Sequence, residues 1–445
     1  MKKNETGKRF AGAARVTLGL FAVMMAGGFS LNLAHAQESY LNKEELFTER
    51  DLTQTADLSE AQTFTLKDGA DVHITKEGVY VLNGSAENAT VYVEAGDEEK
   101  VQLVLDGVSI TNEDFPCIYV KSADKVFLTL ASDSSFTVTG DFVKDGETKT
   151  NGAVFSRSDL TLNGTGLLEI LSTANGIVSR DDLKVTGGSY KIQAASKAVS
   201  ANDSICIAGG KLALKAGTDG LHAENEDDNT LGYVYISEGS FAIDAEDDGI
   251  HGTSIVQIDG GNFQISAAEG IEGTIIQIND GTLDISGWDD GINGAHKSDA
   301  YSPKIEINGG EINIVMSGGD TDAIDCNGDL IINGGKINLT AASGFDYDGN
   351  GQYNGGTIIL NGQQLDSLPN QMGMGGGFGG NWGGSMNGRT GGSMDGSMDG
   401  RTGGSMDGST NGRTGGSMDG SMDGRTGGSM DGNMNGRTGG HGGKR

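Results

Sequence analysis

The sequence predicts an all-β fold, a right-handed parallel β-helix or solenoid, on three observations. A strand–corner–strand unit recurs as LKVTGGSYKIQA, ICIAGGKLALKA, VYISEGSFAIDA, VQIDGGNFQISA, IQINDGTLDISG, IEINGGEINIVM and LIINGGKINLTA. The first residue of each corner pair falls at Gly187, Gly209, Glu238, Gly260, Asp280, Gly309, Gly334 and Gly355, at steps of 22, 29, 22, 20, 29, 25 and 21. Apolar and polar residues alternate on both sides of the corner, which is the period of a half-buried strand and not of a helix. A unit this short cannot bury its apolar side alone, so neighbours must stack.

Each element follows from that unit. The glycines let the chain turn a tight corner at positive φ. Coils wound in one direction make their sheets parallel, and chain chirality favours a right-handed winding. Ile258, Ile278, Ile307 and Ile332 then form one inward column, and Phe263, Leu283, Ile312 and Ile337 another. The same pattern runs upstream through Val101–Ile110 and Leu160–Ile170.

The domain plan is a leader over 1–36, a linker and N-terminal cap over 37–62, the β-helix over 63–365, and a Gly/Met/Asp-rich tail over 366–445. The leader has a basic start (Lys2, Lys3, Lys8, Arg9, Arg15), a short apolar run over Val16–Ala26 and a small-residue site at Ala34-His35-Ala36. That is the layout of a cleaved export signal, with maturity beginning at Gln37, and the apolar run is short for a membrane anchor. We therefore expect a secreted protein with no membrane insertion. In the tail, GRT recurs at Gly388, Gly400, Gly412, Gly424 and Gly436, a strict step of 12, and the repeated unit has no branched aliphatic residue. Such a segment lacks the means to build a core and is expected to be a disordered tether, with cell-wall or matrix association as one use for it.

The net charge is −31, and both the leader and the tail are weakly basic, so the body is more acidic still. That balance excludes nucleic-acid binding by electrostatics and favours cations as partners. Cys117, Cys206 and Cys326 are odd in number and lack zinc-like spacing; small inward core residues are expected over a disulfide.

After the second strand each coil makes a turn of its own: Asn175-Gly176-Ile177-Val178, Lys197-Ala198-Val199-Ser200, Asp219-Gly220-Leu221-His222, Asp248-Gly249-Ile250-His251, Glu269-Gly270-Ile271-Glu272, Asp290-Gly291-Ile292-Asn293 and Asp322-Ala323-Ile324-Asp325, ending near Asp346-Tyr347-Asp348. Asp247, Asp289 and Asp320 stand beside this column. Equivalent positions on neighbouring strands lie about 4.8 Å apart. Two carboxylates at that spacing repel by about 3–4 kcal/mol at an effective dielectric near 20. Raised pKa values or bound cations relieve the stack. Calcium takes six to eight oxygens from carboxylates, carbonyls and amides. The candidate metal ligands are therefore Asp219, Asp247, Asp248, Glu269, Glu272, Asp289, Asp290, Asn293, Asp320, Asp322, Asp325, Asp346 and Asp348. The competing reading is a solvated acidic edge that protects a long sheet from aggregation. Only His222 and His251 offer nitrogen, which argues against a dedicated zinc site. Asp346-Tyr347-Asp348-Gly349-Asn350-Gly351 has part of an EF-hand loop, without the bidentate glutamate or flanking helices.

The turns TDGLHAENEDD, DDGIHG, EGIEG, DDGING and DTDAIDCNGD, with their GG corners, resemble a Firmicutes carbohydrate-binding parallel β-helix family of calcium- and polygalacturonate-binding type. The resemblance covers about residues 60–365 and leaves out the tail; Asn175 and Lys197 depart from the acidic column. It implies a secreted, non-catalytic protein that binds acidic polysaccharide with calcium. A shared ion would reconcile an acidic protein with an acidic glycan. Candidate sugar contacts are Trp288, beside Asp289 and Asp290, together with Tyr347, His222 and His251; for the two aromatics ordinary packing is the equal alternative. Two other classes stand against this. A calcium-dependent polysaccharide lyase needs a cationic base beside the metal, and Lys297 and Lys304 are the nearest lysines, each read as solvated. A cell-envelope or matrix structural protein would use the solenoid as a spacer.

Overall fold

The structure is a computed structural model, and it describes residues 39–319 and 321–369. Among these residues there are 34 strands and two helices of four residues each, α1 (Lys43–Leu46) and α2 (Glu49–Leu52). The fold is thus nearly all-β, and its strands pair in parallel in an open, unclosed arrangement, as in a β-helix or solenoid. One pairing is antiparallel, between Thr357–Leu360 and Gln363–Leu365, where the described residues come to an end. The leader and nearly all of the tail lie outside the described residues.

The strands form three stacked ladders. Ile258 pairs with Ile278, Ile278 with Ile307 and Ile307 with Ile332 in the first. Phe263, Leu283, Ile312 and Ile337 follow one another in the second. All eight are buried, as the inward columns require. Like side chains stack along the axis: the rings of Phe241 and Phe263 lie 4.5 Å apart and 3° from parallel. Burying each such side chain contributes roughly 1.5–3 kcal/mol. The third ladder carries the turns, with Leu221, Ile250, Ile271, Ile292 and Ile324 pointing inward.

Two corners shape each coil. At the first, the second residue of the pair takes positive φ, as at Gly261 (114°) and Gly281 (116°). The residue before the pair builds a ladder of its own: Asn308 Nδ2 donates to Asn279 Oδ1 at 2.7 Å, Asn333 Nδ2 to Asn308 Oδ1 at 2.8 Å and Asn354 Nδ2 to Asn333 Oδ1 at 2.8 Å. At the second corner the small residue of each acidic turn is squeezed. A Cβ on Gly249 would lie 2.4 Å from Ile265 Cγ2 and 2.6 Å from the Gly270 carbonyl. Gly220, Gly270 and Gly291 meet the same two obstacles, whereas Ala198 and Ala323 occupy equivalent positions.

Residues 39–54 form a strap along the outer face of the first ladder. The Leu41 N–H donates to Gln257 Oε1 at 2.7 Å, and the Lys304 ammonium meets the Tyr40 hydroxyl at 3.0 Å. Phe47 packs on Cys206, Ala208 and Tyr235. The Asp51 carboxylate closes a capping box with Thr48 and takes hydrogen bonds from Lys125 at 3.3 Å and Thr161 at 2.9 Å. Gln54 Oε1 accepts from the Gly164 N–H at 2.9 Å. The strap therefore runs against the order of the coils. The three cysteines are buried and unpaired. Cys117 and Cys326 face the core as expected, but Cys206 faces outward beneath Phe47.

Candidate functional site

The third ladder aligns the acidic turns into two adjoining columns. Asp219, Asp248, Glu269, Asp290 and Asp322 form one, with direct pairing of Asp248 to Glu269 and Asp290 to Asp322. His222, His251, Glu272, Asn293, Asp325 and Asp346 form the other. The bend at the glycine brings the two columns together although their members stand three residues apart. The first column also serves the backbone: Asn175 Oδ1 accepts from the Lys197 N–H at 3.0 Å, Asp219 Oδ1 from Asp248 at 3.4 Å and Asp290 Oδ1 from Asp322 at 3.3 Å. Asparagine performs this task as well as aspartate, which explains the departure at Asn175.

The upstream half is neutralised from within. Asp219 Oδ2 lies 3.1 Å from Lys197 Nζ and 2.8 Å from His222 Nδ1. His251 Nδ1 lies 2.9 Å from Asp248 Oδ2 and 2.7 Å from Glu272 Oε2, and Lys297 Nζ lies 2.6 Å from Glu272 Oε1. Against the upward pull of burial, His222 and Lys197 hold the Asp219 carboxyl down at about 2. His251 is pushed up to about 9: burial opposes its charge, but Asp248 and Glu272 outweigh it. Burial and the neighbouring Glu272 raise Glu269. Within this stretch, two groupings place ligand-type atoms within 4.8 Å of one another, Asp248–His251–Glu272 and Asp219–Asp247–Asp248. A shallow recess of about 320 Å³ opens over this stretch.

In the downstream half, burial and neighbouring carboxylates set the charges of Asp290 and Asp325. Burial and the charges of Asp325, Asp289 and Asp322 push Asp290 up to about 7. Burial, Asp322 and Asp346 push Asp325 up to about 6. Asn293 is 8 % exposed; its Nδ2 donates to Glu269 Oε2 at 3.0 Å, while its Oδ1 is buried without a hydrogen-bond partner. The donors here are all oxygen, like charges raise Asp290 and Asp325, and the buried Asn293 Oδ1 has no hydrogen-bond partner. This set fits a hard oxygen-seeking cation such as calcium.

Several sequence-derived candidates take other places. Tyr347 pairs with Cys326 and joins the core cluster, so packing and not sugar contact accounts for its ring. His222 and His251 are buried among carboxylates and are counter-charges, not sugar platforms. Asp247, Asp289 and Asp348 are exposed beside the columns, and Asp320 lies outside the described residues. The EF-hand-like stretch forms a coil corner: Asp346 pairs with Asp325, and Asp348 donates its N–H to the Cys326 carbonyl. Trp288 is 45 % exposed, next to Asp289. Lys297, expected to be solvated, reaches back onto Glu272, and Lys304 binds Glu306 and Tyr40 at the strap. The position of Lys197 was legible from the period of the turns. That of Lys297 was not, because it follows its turn at a loop distance no repeat specifies.

The model of the carbohydrate-binding domain-containing protein family matches residues 68–274 and 268–371, and the chain belongs to that family. A carbohydrate-binding domain-containing protein of Acetivibrio thermocellus is 38% identical over 129 residues, which are 28% of this chain and 45% of the relative. The chain thus spans less than half the length of that relative. The structure of the polysaccharide lyase-like protein from C. thermocellum, a gadolinium derivative, is 32% identical and covers 50% of this chain and 96% of its own, with a TM-score of 0.45.

Proposed function

We propose that this chain is an exported, non-catalytic binder of acidic polysaccharide that uses calcium as the bridge. The observation that carries the reading is the downstream half of the acidic turns, where Asp290, Asp322 and Asp325 crowd together and Asn293 Oδ1 is buried without a partner. These residues would hold the ion, which supplies the positive charge that an acidic protein otherwise lacks toward an acidic glycan. Trp288 stands exposed one residue from Asp289 and offers an apolar face to a sugar ring.

The lyase reading draws on Lys297, which does sit at the column. Burial opposes the charge of this lysine, but Glu272, Glu269 and Asp248 raise its pKa above the usual value. An ammonium held protonated by three carboxylates is a poor proton acceptor, so geometry and charge disfavour it as the base.

Calorimetric titration of acidic and neutral oligosaccharides, with calcium and with chelator, tests the proposal. Calcium-dependent binding of the acidic ligand alone supports it. Binding indifferent to calcium, or release of unsaturated products absorbing in the ultraviolet, removes it.

A further inference from the structure

Upstream of the acidic column the same edge of the coils loses its run of carboxylates. Where the downstream turns carry Asp219 and Asp248, these carry Asn175 and Lys197. A recess of about 370 Å³ opens there, lined by Lys149, Arg180 and Lys197 and also by Glu224, Glu226 and Asp227 of the segment that follows His222. Lys149 and Arg180 are exposed. One guanidinium nitrogen of Arg180 donates to Asn202 Oδ1 at 3.4 Å, which leaves most of its five donors for a ligand. Asn151, another lining residue, has a buried Oδ1 with no hydrogen-bond partner.

The mixture of groups selects the ligand. A simple anion would satisfy Lys149 and Arg180, Lys197 being already paired with Asp219, but would face the carboxylates of Glu224, Glu226 and Asp227 and leave the Asn151 acceptor orphaned. A neutral sugar would donate hydroxyls to those acceptors and leave the cations unused. A sugar acid does both: its carboxylate meets Arg180 and Lys149, and its ring hydroxyls donate to Asn151 Oδ1 and the loop carboxylates. The recess stands at the lower end of small-ligand pockets, roughly 300–1,000 Å³, which suits a short stretch of sugar rings.

We propose that this recess is a metal-independent subsite for a carboxylate-bearing sugar ring. The choice of an acidic glycan rests on the functional reading above, but the mode of contact is different: direct ion pairing in place of a bridging cation. Lys197 and His222 line both this recess and the one over the acidic turns, so one glycan chain can pass from the first to the second.

The test is a titration of the full chain with a short uronic-acid oligosaccharide in chelator, comparing wild type with the double variant Lys149→Ala, Arg180→Ala. The methyl ester of the same oligosaccharide serves as the uncharged control. We expect binding in chelator that weakens about tenfold or more in the double variant and with added salt, and weakens likewise for the ester. Both side chains are exposed, so the melting temperature of the variant should match wild type and separates lost binding from lost folding. No binding in chelator, or equal binding by the variant, overturns the subsite. Calcium-dependent binding that needs Asp290 and Asp325 but ignores Lys149 and Arg180 overturns it while sustaining the calcium reading. Chelator-resistant binding that needs Lys149 and Arg180 sustains it even where calcium has no effect.

Discussion

His222 and His251 stack ring on ring, with centroids 4.5 Å apart and planes 16° from parallel, and each closes on the carboxylate three residues before it, Asp219 or Asp248. The pair divides the acidic turns into two regimes. On its side Lys197 and Lys297 complete the neutralisation, and the buried carboxylates have partners. Beyond Glu272 burial and like charges dominate, and the pKa values of Asp290 and Asp325 are pushed well above their ordinary range.

Replacing His251 with Ala should destabilise the fold by about 3 kcal/mol or more, because Asp248 then stays buried without its counter-charge. The folded pKa of His251 lies at about 9, above the ordinary 6.5. Its stabilisation is therefore fully present below pH 6.5 and is lost as pH rises through 9. Urea unfolding of wild type and variant should show a gap that closes over that interval; a constant gap contradicts the assignment.

The double variant Asp290→Asn, Asp325→Asn should melt at or above the wild-type temperature in chelator, since it removes a repulsion. It should also lose most of the rise that millimolar calcium brings to wild type, because a ligand that binds only the folded state stabilises it more the further its concentration exceeds the dissociation constant. Equal calcium shifts in both proteins would place the ion elsewhere.

Asp51 tests the strap. Burial opposes its charge, but Thr48, Lys125 and Lys184 bring the carboxyl down to about 2 from 3.8. The resulting stability, on the order of 2 kcal/mol, is present above pH 3.8 and is lost as pH falls toward 2. Asp51→Asn should remove this acid dependence and speed proteolytic cleavage within residues 39–54. Unchanged cleavage would mean that the strap is held without the ion pairs.

Gly270→Ala should cost about 1–3 kcal/mol, as the new Cβ would lie 2.5 Å from both Ile285 and the Gly291 carbonyl. Ala323→Gly, at an equivalent position, should cost about 1 kcal/mol or less through chain entropy alone. Thermal melting of the two variants gives the comparison, and similar losses would remove the crowding argument.

The repeat itself determined the strand pattern, the inward columns and the alignment of the acidic turns. Period-2 alternation and a near-constant step leave one register that buries Ile258, Ile278, Ile307 and Ile332 together. From that register the proximity of Asp248 to Glu269 and of Asp290 to Asp322 was legible in advance. Three things were decided only in the tertiary structure. Cys206, Tyr235 and Gln257 sit at outward strand positions, yet the strap from a segment far away in sequence buries them. Tyr347, flanked by acids in sequence, turns its ring into the core because the period at Cys326 points it inward. Lys297 reaches Glu272 from a loop whose path no local preference sets, and with Lys197 it decides which carboxylates are already neutralised. Strand periodicity is a local property and can be read residue by residue; pairing of charges depends on which distant side chains the folded chain brings within reach.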